Sequence, residues 1–337
     1  MRPDKKKVKK FLKYFFLGLL FILIIFFCYL FIGSAPKAKE ITWGVNFSQK
    51  HSKNLGLDWK EVFIALLDDL GARNFKIAVH WDDLESREGE FYFDDLDWQI
   101  REAEKRDAKV FLVIGMKTTR WPECHLPQWA QNLSKEKQQE KILRMLEKIV
   151  LRYKESKAIW AWQVENEPFF PFGVCPWVDK KFLKKEIDLV KFLDKKPIIE
   201  ADSGEGSFWI QAARFGDIPA TTMYEKVWFR QINHYVRYPL PPVFYWRKAQ
   251  IIKFLFGKEV ICGELQAEPF GPKLLYDISL EEQEKTMNLE QFKKNIDFAS
   301  KTGLDTFYLW GSEWWYWLKI KQNQPGIWNE AEKLFQK

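Results

Sequence analysis

The sequence is poor in histidine and cysteine, with four of each among 337 residues. The histidines (His51, His80, His125 and His234) are scattered, and neither a helical histidine pair nor a cysteine cluster is present. Protein metal sites usually need such nitrogen and sulfur ligands at close spacing. We therefore expect no metal ion and no other cofactor.

Motifs that mark several other enzyme classes are missing. No G-x-G-x-x-G and no P-loop follows an early strand, which argues against nucleotide binding. No G-x-S-x-G follows a strand, so a serine hydrolase is poorly supported. The folded part also lacks net charge, because residues 1–37 hold eight basic residues and one acid and so account for the whole net charge of +7. A balanced domain gives no support to nucleic-acid binding.

One long apolar run lies near the N-terminus. Residues 14–32 carry no charge and follow a lysine-rich tail, residues 1–13. Nineteen helical residues roughly match a ~30 Å hydrocarbon core, whereas a cleaved signal peptide usually has only ~7–15 apolar residues. We expect an uncleaved anchor in a lipid bilayer with the tail in the cytoplasm; cleavage near Ala35 or Ala38 is the alternative. Residues 33–40 would be a linker and residues 41–337 an extracellular domain.

The domain alternates apolar strands with amphipathic helices. We predict eight strands, at residues 41–47, 75–81, 109–115, 159–167, 196–202, 218–224, 259–266 and 305–311. Several are near-continuous apolar runs, as in parallel strands covered on both faces. The pattern favours an α/β fold of the (β/α)₈ TIM-barrel type, with a doubly wound open sheet as the alternative. Residues 238–256, aromatic and basic, are expected to pack as helix and loop or to touch a membrane surface.

Carboxylates follow two of the predicted strands, where a barrel places its active residues. Glu167 ends the fourth strand in Asn166-Glu167-Pro168, and Glu264 ends the seventh in Gly263-Glu264. Cleaving a glycosidic bond needs one carboxyl to protonate the leaving oxygen and a second to attack the sugar or to activate water. The 17 Trp residues would supply flat faces for sugars, although many belong to the core.

On these motifs the chain resembles the clan A glycoside hydrolases, the retaining barrel enzymes that include family 5 cellulase-like and β-galactosidase-like proteins. The resemblance covers roughly residues 41–317. It implies that Glu167 is the general acid and base and that Glu264 is the nucleophile, with Glu268 as the competing nucleophile. It further implies that Asn166 holds the sugar 2-hydroxyl, that Tyr224 hydrogen-bonds the nucleophile, and that Trp310 forms the floor of the −1 subsite.

Two positions depart from the pattern of these enzymes. Lys76 stands where an arginine often lies near the nucleophile, and Thr222 stands where a histidine often precedes the tyrosine. Lysine lacks the fixed fork of donors that arginine offers. Further side chains at strand ends are expected to contact substrate: His80, Trp81, Arg120, Trp121, Glu268 and Glu313.

Three cysteines lie outside the apolar run. Cys124 and Cys175 lie in the loops after the third and fourth strands, which are neighbours in a barrel. An oxidising exterior would permit a disulfide between them, while Cys262 within the seventh strand is expected to be a free thiol.

The sequence therefore predicts a membrane-anchored extracellular glycoside hydrolase that cleaves β-linked oligo- or polysaccharides with retention of configuration. A catalytically inactive barrel that binds glycans is the first alternative. A surface protein with a purely structural or interaction role is the second.

Overall fold

The computed structural model describes residues 5–336, so the first four residues of the predicted tail lie outside the described residues. Eight parallel strands form a closed barrel in the order β1-β2-β3-β4-β5-β6-β9-β10, and β7 and β8 form a separate antiparallel hairpin. The strands are β1 Thr42–Phe47, β2 Asn74–Ala78, β3 Lys109–Ile114, β4 Ile159–Val164, β5 Ile198–Asp202, β6 Ile218–Met223, β7 Lys226–Phe229, β8 His234–Arg237, β9 Ile261–Gln266 and β10 Thr306–Trp310. The predicted TIM barrel is confirmed, and the open sheet is wrong because β1 pairs with β10.

Helices alternate with the barrel strands. They are α1 Lys5–Phe31, α2 Gln49–Asn54, α3 Trp59–Asp68, α4 Trp81–Leu84, α5 Asp94–Glu104, α6 Lys135–Tyr153, α7 Lys180–Leu193, α8 Ile210–Phe215, α9 Pro242–Phe256, α10 Leu280–Glu284, α11 Leu289–Ser300, α12 Ser312–Lys321 and α13 Gly326–Phe335. Side-chain caps start several of them. The Asp58 carboxylate, for example, accepts the Lys60 N–H at the start of α3, and the Asp179 carboxylate accepts two N–H groups at the start of α7.

The barrel interior is apolar in its lower half. Phe111 and Tyr308 pack edge to face there, with ring centroids 4.7 Å apart. Gly44 leaves room for this packing, because a Cβ at that position would lie 2.6 Å from the Tyr308 ring. Above this layer, towards the strands' carboxyl ends, the interior becomes polar at Asn46, Lys76 and Gln163. We call this end of the barrel the catalytic end.

An irregularity in β9 sets the direction of Glu264. Thr221 pairs with Cys262 but Thr222 pairs with Glu264, so the register shifts by one residue at Gly263. Strict alternation from the inward-facing Ile261 would point Glu264 outward. A bulge restores the inward direction, and bulges commonly re-aim side chains beside active sites.

The helix α1 carries the predicted apolar run. Residues Lys9–Phe31 are long and apolar enough to cross a membrane by length and composition. The predicted packing element appears as α9, which contacts the end of α1: the Phe31 and Phe244 rings lie 5.2 Å apart. Cys124 and Cys175 are joined by a disulfide between the loops after β3 and β4, and Cys262 is a buried free thiol.

Candidate active site

The turn after β4 presents Glu167 at the catalytic end. Glu165 and Glu167 both have positive φ, at 61° and 43°, which is costly for residues with a Cβ. Lys117 supports the turn, because its ammonium donates to the carbonyls of Glu167 and Phe170, at 2.9 Å each. The Glu165 carboxylate accepts the backbone N–H groups of Met116 and Lys117, which ties the turn to the loop after β3.

Glu167 is held in a poorly solvated position. Its exposed fraction is 8%, and that of Glu264 is 3%. Burial raises the pKa of Glu167 well above its ordinary value, and the negative charge of Glu264 raises it further. The Thr222 hydroxyl donates to Glu167 Oε1 at 3.3 Å. The raised pKa favours the protonated form, which a general acid must have before reaction.

Glu264 is oriented by one cation and one hydroxyl. The Lys76 ammonium donates to Glu264 Oε1 at 2.7 Å, and the Tyr224 hydroxyl donates to Oε2 at 2.9 Å. Burial and the nearby charges of Glu264 and Glu167 raise the pKa of Tyr224 well above its usual range. Tyr224 therefore stays a hydrogen-bond donor to the carboxylate. Lys76 occupies the place next to Glu264 that the resemblance gives to an arginine.

Glu268 lies in a separate ion-pair network. Arg120 donates to Glu268 Oε1, and His51 Nε2 lies 3.3 Å from Oε2. Burial opposes ionisation, but Arg120 and then His51 prevail and lower the pKa of Glu268 to about 2. Arg120 also donates to Glu313 Oε2 at 3.1 Å, while Glu313 Oε1 accepts the Ser48 N–H at 2.6 Å. This network cross-links the ends of several strands.

The same arginine covers the predicted sugar platform. The Arg120 guanidinium lies 3.9 Å from the centroid of the Trp310 ring, within the range of a cation–π contact. Trp310 is 8% exposed. One face of Trp310 is thus occupied by a side chain of the protein itself.

Asn166, next to Glu167 in the chain, is held by hydrogen bonds to other polar side chains of the site. Its Oδ1 accepts from Gln163 at 2.9 Å and from Lys76 at 3.3 Å. Its Nδ2 donates to Glu123 Oε2 at 3.4 Å. Burial raises the pKa of Glu123 to about 8, with Lys117 opposing and Glu264 adding to the rise. A third carboxyl group therefore lies beside the pair, protonated at neutral pH.

Aromatic rings from three loops and the end of β6 meet above the carboxyl groups. Ring centroids are 6.2 Å apart for Trp121 and Phe172, 6.1 Å for Phe172 and Phe270, and 6.0 Å for Phe270 and Tyr224. We call these four residues the aromatic band. Trp121 is 44% exposed and is available to a sugar face. Several other tryptophans are buried in the core, among them Trp162, Trp209, Trp315 and Trp328.

Two predicted contact residues lie away from the aromatic band. Trp81 is fully buried, donates from Nε1 to Glu85 at 2.8 Å and packs edge-on against Trp129. The His80 ring packs on His125 at 4.1 Å, and its Nε2 lies 3.0 Å from the Thr119 carbonyl oxygen. Both residues support the loops that follow β2 and β3. Each side chain is largely enclosed by protein, and contact of either residue with substrate stays a prediction.

Sequence reasoning missed three polar residues of the site. Asn46 donates to carbonyls of β9 and β10, at 3.1 to 3.3 Å. Lys117 and His51 hold Glu167 and Glu268, as described above. A polar residue three positions after an apolar strand was a usable signal for Lys117, but His51 contacts a residue more than 200 positions away and carries no local signal.

A family comparison matches the first half of the barrel. The model of glycosyl hydrolase family 10 matches residues 35–184, which include Asn166 and Glu167 but not Glu264. No curated protein sequence matches the chain.

Solved structures of glycoside hydrolases share the fold. An endo-β-1,4-xylanase of family 10 from Gloeophyllum trabeum is 14% identical, with a TM-score of 0.56 over 89% of this chain and 98% of that one. A family 113 β-1,4-mannanase is 13% identical, with a TM-score of 0.53 over 89% and 99%. The cold-adapted β-galactosidase from Rahnella sp. R3 is 12% identical, with a TM-score of 0.56 over 90% of this chain; the chain spans 57% of its length.

The family match and the shared barrel together confirm the predicted resemblance to clan A glycoside hydrolases. The chain has the (β/α)₈ barrel of these enzymes, and its residues 35–184 match the family 10 model.

Proposed function

We propose that the protein is a membrane-anchored extracellular enzyme that hydrolyses β-glycosidic bonds with retention of configuration. Glu167 is the general acid and base, and Glu264 is the nucleophile. One observation carries the proposal. Glu167, whose pKa is raised, lies near the hydrogen-bonded carboxylate of Glu264, and the charge of Glu264 contributes to that raised pKa. In glycosidases, the surroundings of two carboxyl groups typically shift their pKa values apart, so that one serves as the acid and the other as the carboxylate.

The first step breaks the glycosidic bond. Glu264 attacks the anomeric carbon of the sugar while Glu167 gives its proton to the leaving oxygen, which departs as an alcohol. A covalent glycosyl ester on Glu264 results. Hydrogen bonds from Lys76 and Tyr224 orient the attacking carboxylate before reaction.

The second step releases the sugar. Glu167, now ionised, takes a proton from water while the water oxygen attacks the anomeric carbon and the bond to Glu264 breaks. Two inversions at the same carbon retain the configuration. The retaining geometry requires a carboxyl separation of ~5–5.5 Å, which leaves no room for an intervening water as nucleophile in the first step.

Glu264 is favoured over Glu268 as nucleophile. Arg120 and His51 engage the two carboxylate oxygens of Glu268, and a pKa of about 2 makes its carboxylate a weak base. Glu268, Arg120 and Glu313 then act by holding Trp310 and the strand ends. Asn166 would bind the sugar 2-hydroxyl once substrate displaces its weak contact with Glu123.

The anchoring part of the proposal rests on α1 and its flanking charge. The helix is apolar over a length that suits a bilayer, and lysines precede the apolar run. Positive charge next to a span stays on the cytoplasmic side, which leaves the barrel outside the cell. The disulfide between Cys124 and Cys175 agrees with an oxidising exterior.

The test is hydrolysis of a panel of aryl β-glycosides and of β-glucan, mannan, xylan and galactan by the full-length protein in detergent. Proton NMR of the first product formed gives the anomeric configuration. We expect a β-anomer product from one sugar class, and loss of hydrolysis in both Glu167→Gln and Glu264→Gln. An α-anomer as first product would contradict the retaining mechanism. Tight glycan binding without turnover by the native protein would favour the inactive binding barrel instead.

A further inference from the structure

The apolar helix α1 meets the barrel at its catalytic end. Phe26 packs against Phe208 in the loop after β5, with ring centroids 5.9 Å apart. Phe31 packs against Phe244 in the first turn of α9, and the Arg247 guanidinium lies 4.6 Å from the centre of the Tyr29 ring. The loop after β5 and the start of α9 both belong to the catalytic end, because they follow the carboxyl ends of β5 and of the β6–β8 segment.

The segment after α1 runs to the opposite end of the barrel. The Pro36 carbonyl oxygen lies near Gly303, where a Cβ would be 3.1 Å from it, and the Thr42 N–H donates to the Asp305 carbonyl at 2.7 Å. Gly303 and Asp305 precede β10 and so mark the opposite end. Since α1 is continuous, the part before Phe26 extends beyond the catalytic end, and residues 11–25 are exposed.

The exposed part of α1, residues 11–25, is too short to cross a bilayer by itself. Residues 11–25 span ~22 Å at 1.5 Å per residue. A hydrocarbon core of ~30 Å needs about 20 apolar residues. The remaining residues must come from the segment that contacts Phe208 and Phe244. A spanning α1 therefore draws the catalytic end of the barrel to the membrane surface.

Exposed apolar side chains lie where this contact would form. They belong to the loops after β4 and β5 and to the β7–β8 hairpin, and we call them the apolar rim: Phe170, Val174, Phe208, Phe229 and Ile232. The exposed Arg230 lies between Phe229 and Ile232. Aromatic and aliphatic side chains beside a cation suit the boundary between acyl chains and anionic head groups.

We propose that the bilayer that holds α1 also contacts the apolar rim, so that the catalytic end of the barrel faces the membrane surface. The proposal rests on the anchoring part of the proposed function. Its consequence is that the glycan cleaved by the enzyme reaches the site from the plane of the membrane. A barrel on a long free tether would instead take substrate from the bulk phase.

Fluorescence quenching by lipids tests the proposal directly. The full-length protein with Cys28→Ser receives one new cysteine, at Ile232 in the apolar rim or at Phe254 near the end of α9. Phe254 is the matched control, because it is 88% exposed and lies at the opposite end. Each cysteine carries an environment-sensitive nitrobenzoxadiazole label, and the protein is placed in phosphatidylcholine–phosphatidylglycerol vesicles with or without brominated acyl chains.

We expect bromine to remove about half of the fluorescence at position 232 and almost none at position 254, as insertion of the rim to ~5–10 Å predicts. A label at Arg230 should repeat the result if Ile232→Cys disturbs the hairpin. Quenching at 254 alone, or at neither position, would overturn the proposal. Flotation of the same vesicles shows whether the protein is anchored in the membrane, and hydrolysis assays show whether it is an active enzyme. A failure of the anchoring or of the hydrolytic part of the proposed function is therefore recognised separately from a failure of the rim to insert.

Discussion

Glu264 lies within β9 and Glu268 lies two residues after its end, and both are buried, with exposed fractions of 3% and 6%. Glu264 lies beside a second carboxyl group, Glu167, and accepts hydrogen bonds from the Lys76 ammonium and the Tyr224 phenol. Glu268 instead pairs with Arg120 and His51. Burial alone thus does not distinguish a reactive carboxylate from a structural one. The neighbours do, and the bulge at Gly263 turns Glu264 towards its own neighbours.

The largest expected effect is that of Glu264→Gln. An amide cannot form the glycosyl ester, so we expect kcat per folded molecule to fall by about 10⁴-fold or more. The comparison variant is Glu268→Gln, in which hydrolysis per folded molecule should remain within about tenfold of the native rate. Steady-state kinetics on the best aryl glycoside measure both. Equal losses in the two variants would remove the distinction between the two residues.

The next effect concerns Glu167→Gln. Loss of the general acid should lower kcat by about 10²–10⁴-fold for substrates with poor leaving groups. The loss in the first step should be much smaller for a dinitrophenyl glycoside, whose leaving group needs no proton. In the native enzyme, activity should fall as pH rises through the raised pKa of Glu167, because the acid is then ionised. A pH profile of kcat/KM that shows this alkaline fall in Glu167→Gln as well would assign the fall to another group.

Glu268→Gln should act on stability. Removing one partner of a buried ion pair leaves the Arg120 charge only partly compensated, by Glu313, which typically costs about 3 kcal/mol or more. Chemical denaturation at pH 7 measures the change in the free energy of unfolding. Lys184, exposed on α7, offers a matched control: Asp188→Asn breaks its surface pair and should cost under about 1 kcal/mol. A Glu268 variant no less stable than this control would contradict the structural role.

The smallest effect is the pH dependence of that stability difference. The pKa of Glu268 is lowered to about 2 in the folded protein, from about 4.3 in an unfolded chain. Its contribution is therefore fully present above pH ~4.3 and is lost as pH falls towards 2. The stability difference between the native protein and Glu268→Gln should narrow steadily as pH falls from 5 towards 2. A constant difference across that range would mean that the carboxylate charge does not stabilise the fold.

Much of the fold followed from the sequence. All eight barrel strands lie within about two residues of their predicted starts, because near-continuous apolar runs separated by amphipathic helices have few other solutions. The predicted ends were less accurate. β4 stops at Val164 and β2 at Ala78, because the residues just after each apolar run, such as Glu167 and His80, lie outside the strands.

The site was only partly predictable. Sequence placed Glu167 and Glu264 at strand ends, but it could not show that Gly263 forms a bulge or that Arg120 lies on Trp310. Trp81 and His80 were expected to contact substrate because they follow a strand, yet α4 begins at once and folds them into the protein. Contacts between distant segments, such as that of His51 with Glu268, depend on the closed barrel and leave no pattern in the chain.

The most direct measurement of the central claim uses azide with alanine variants of the two candidates. In Glu264→Ala, azide can attack the anomeric carbon only from the face that the nucleophile would use, so the product should be an α-glycosyl azide. In Glu167→Ala, azide attacks the glycosyl ester and should give the β-glycosyl azide. We expect this pair of products by NMR. An α-glycosyl azide formed by Glu268→Ala, with Glu264→Ala still hydrolysing the substrate, would contradict the account.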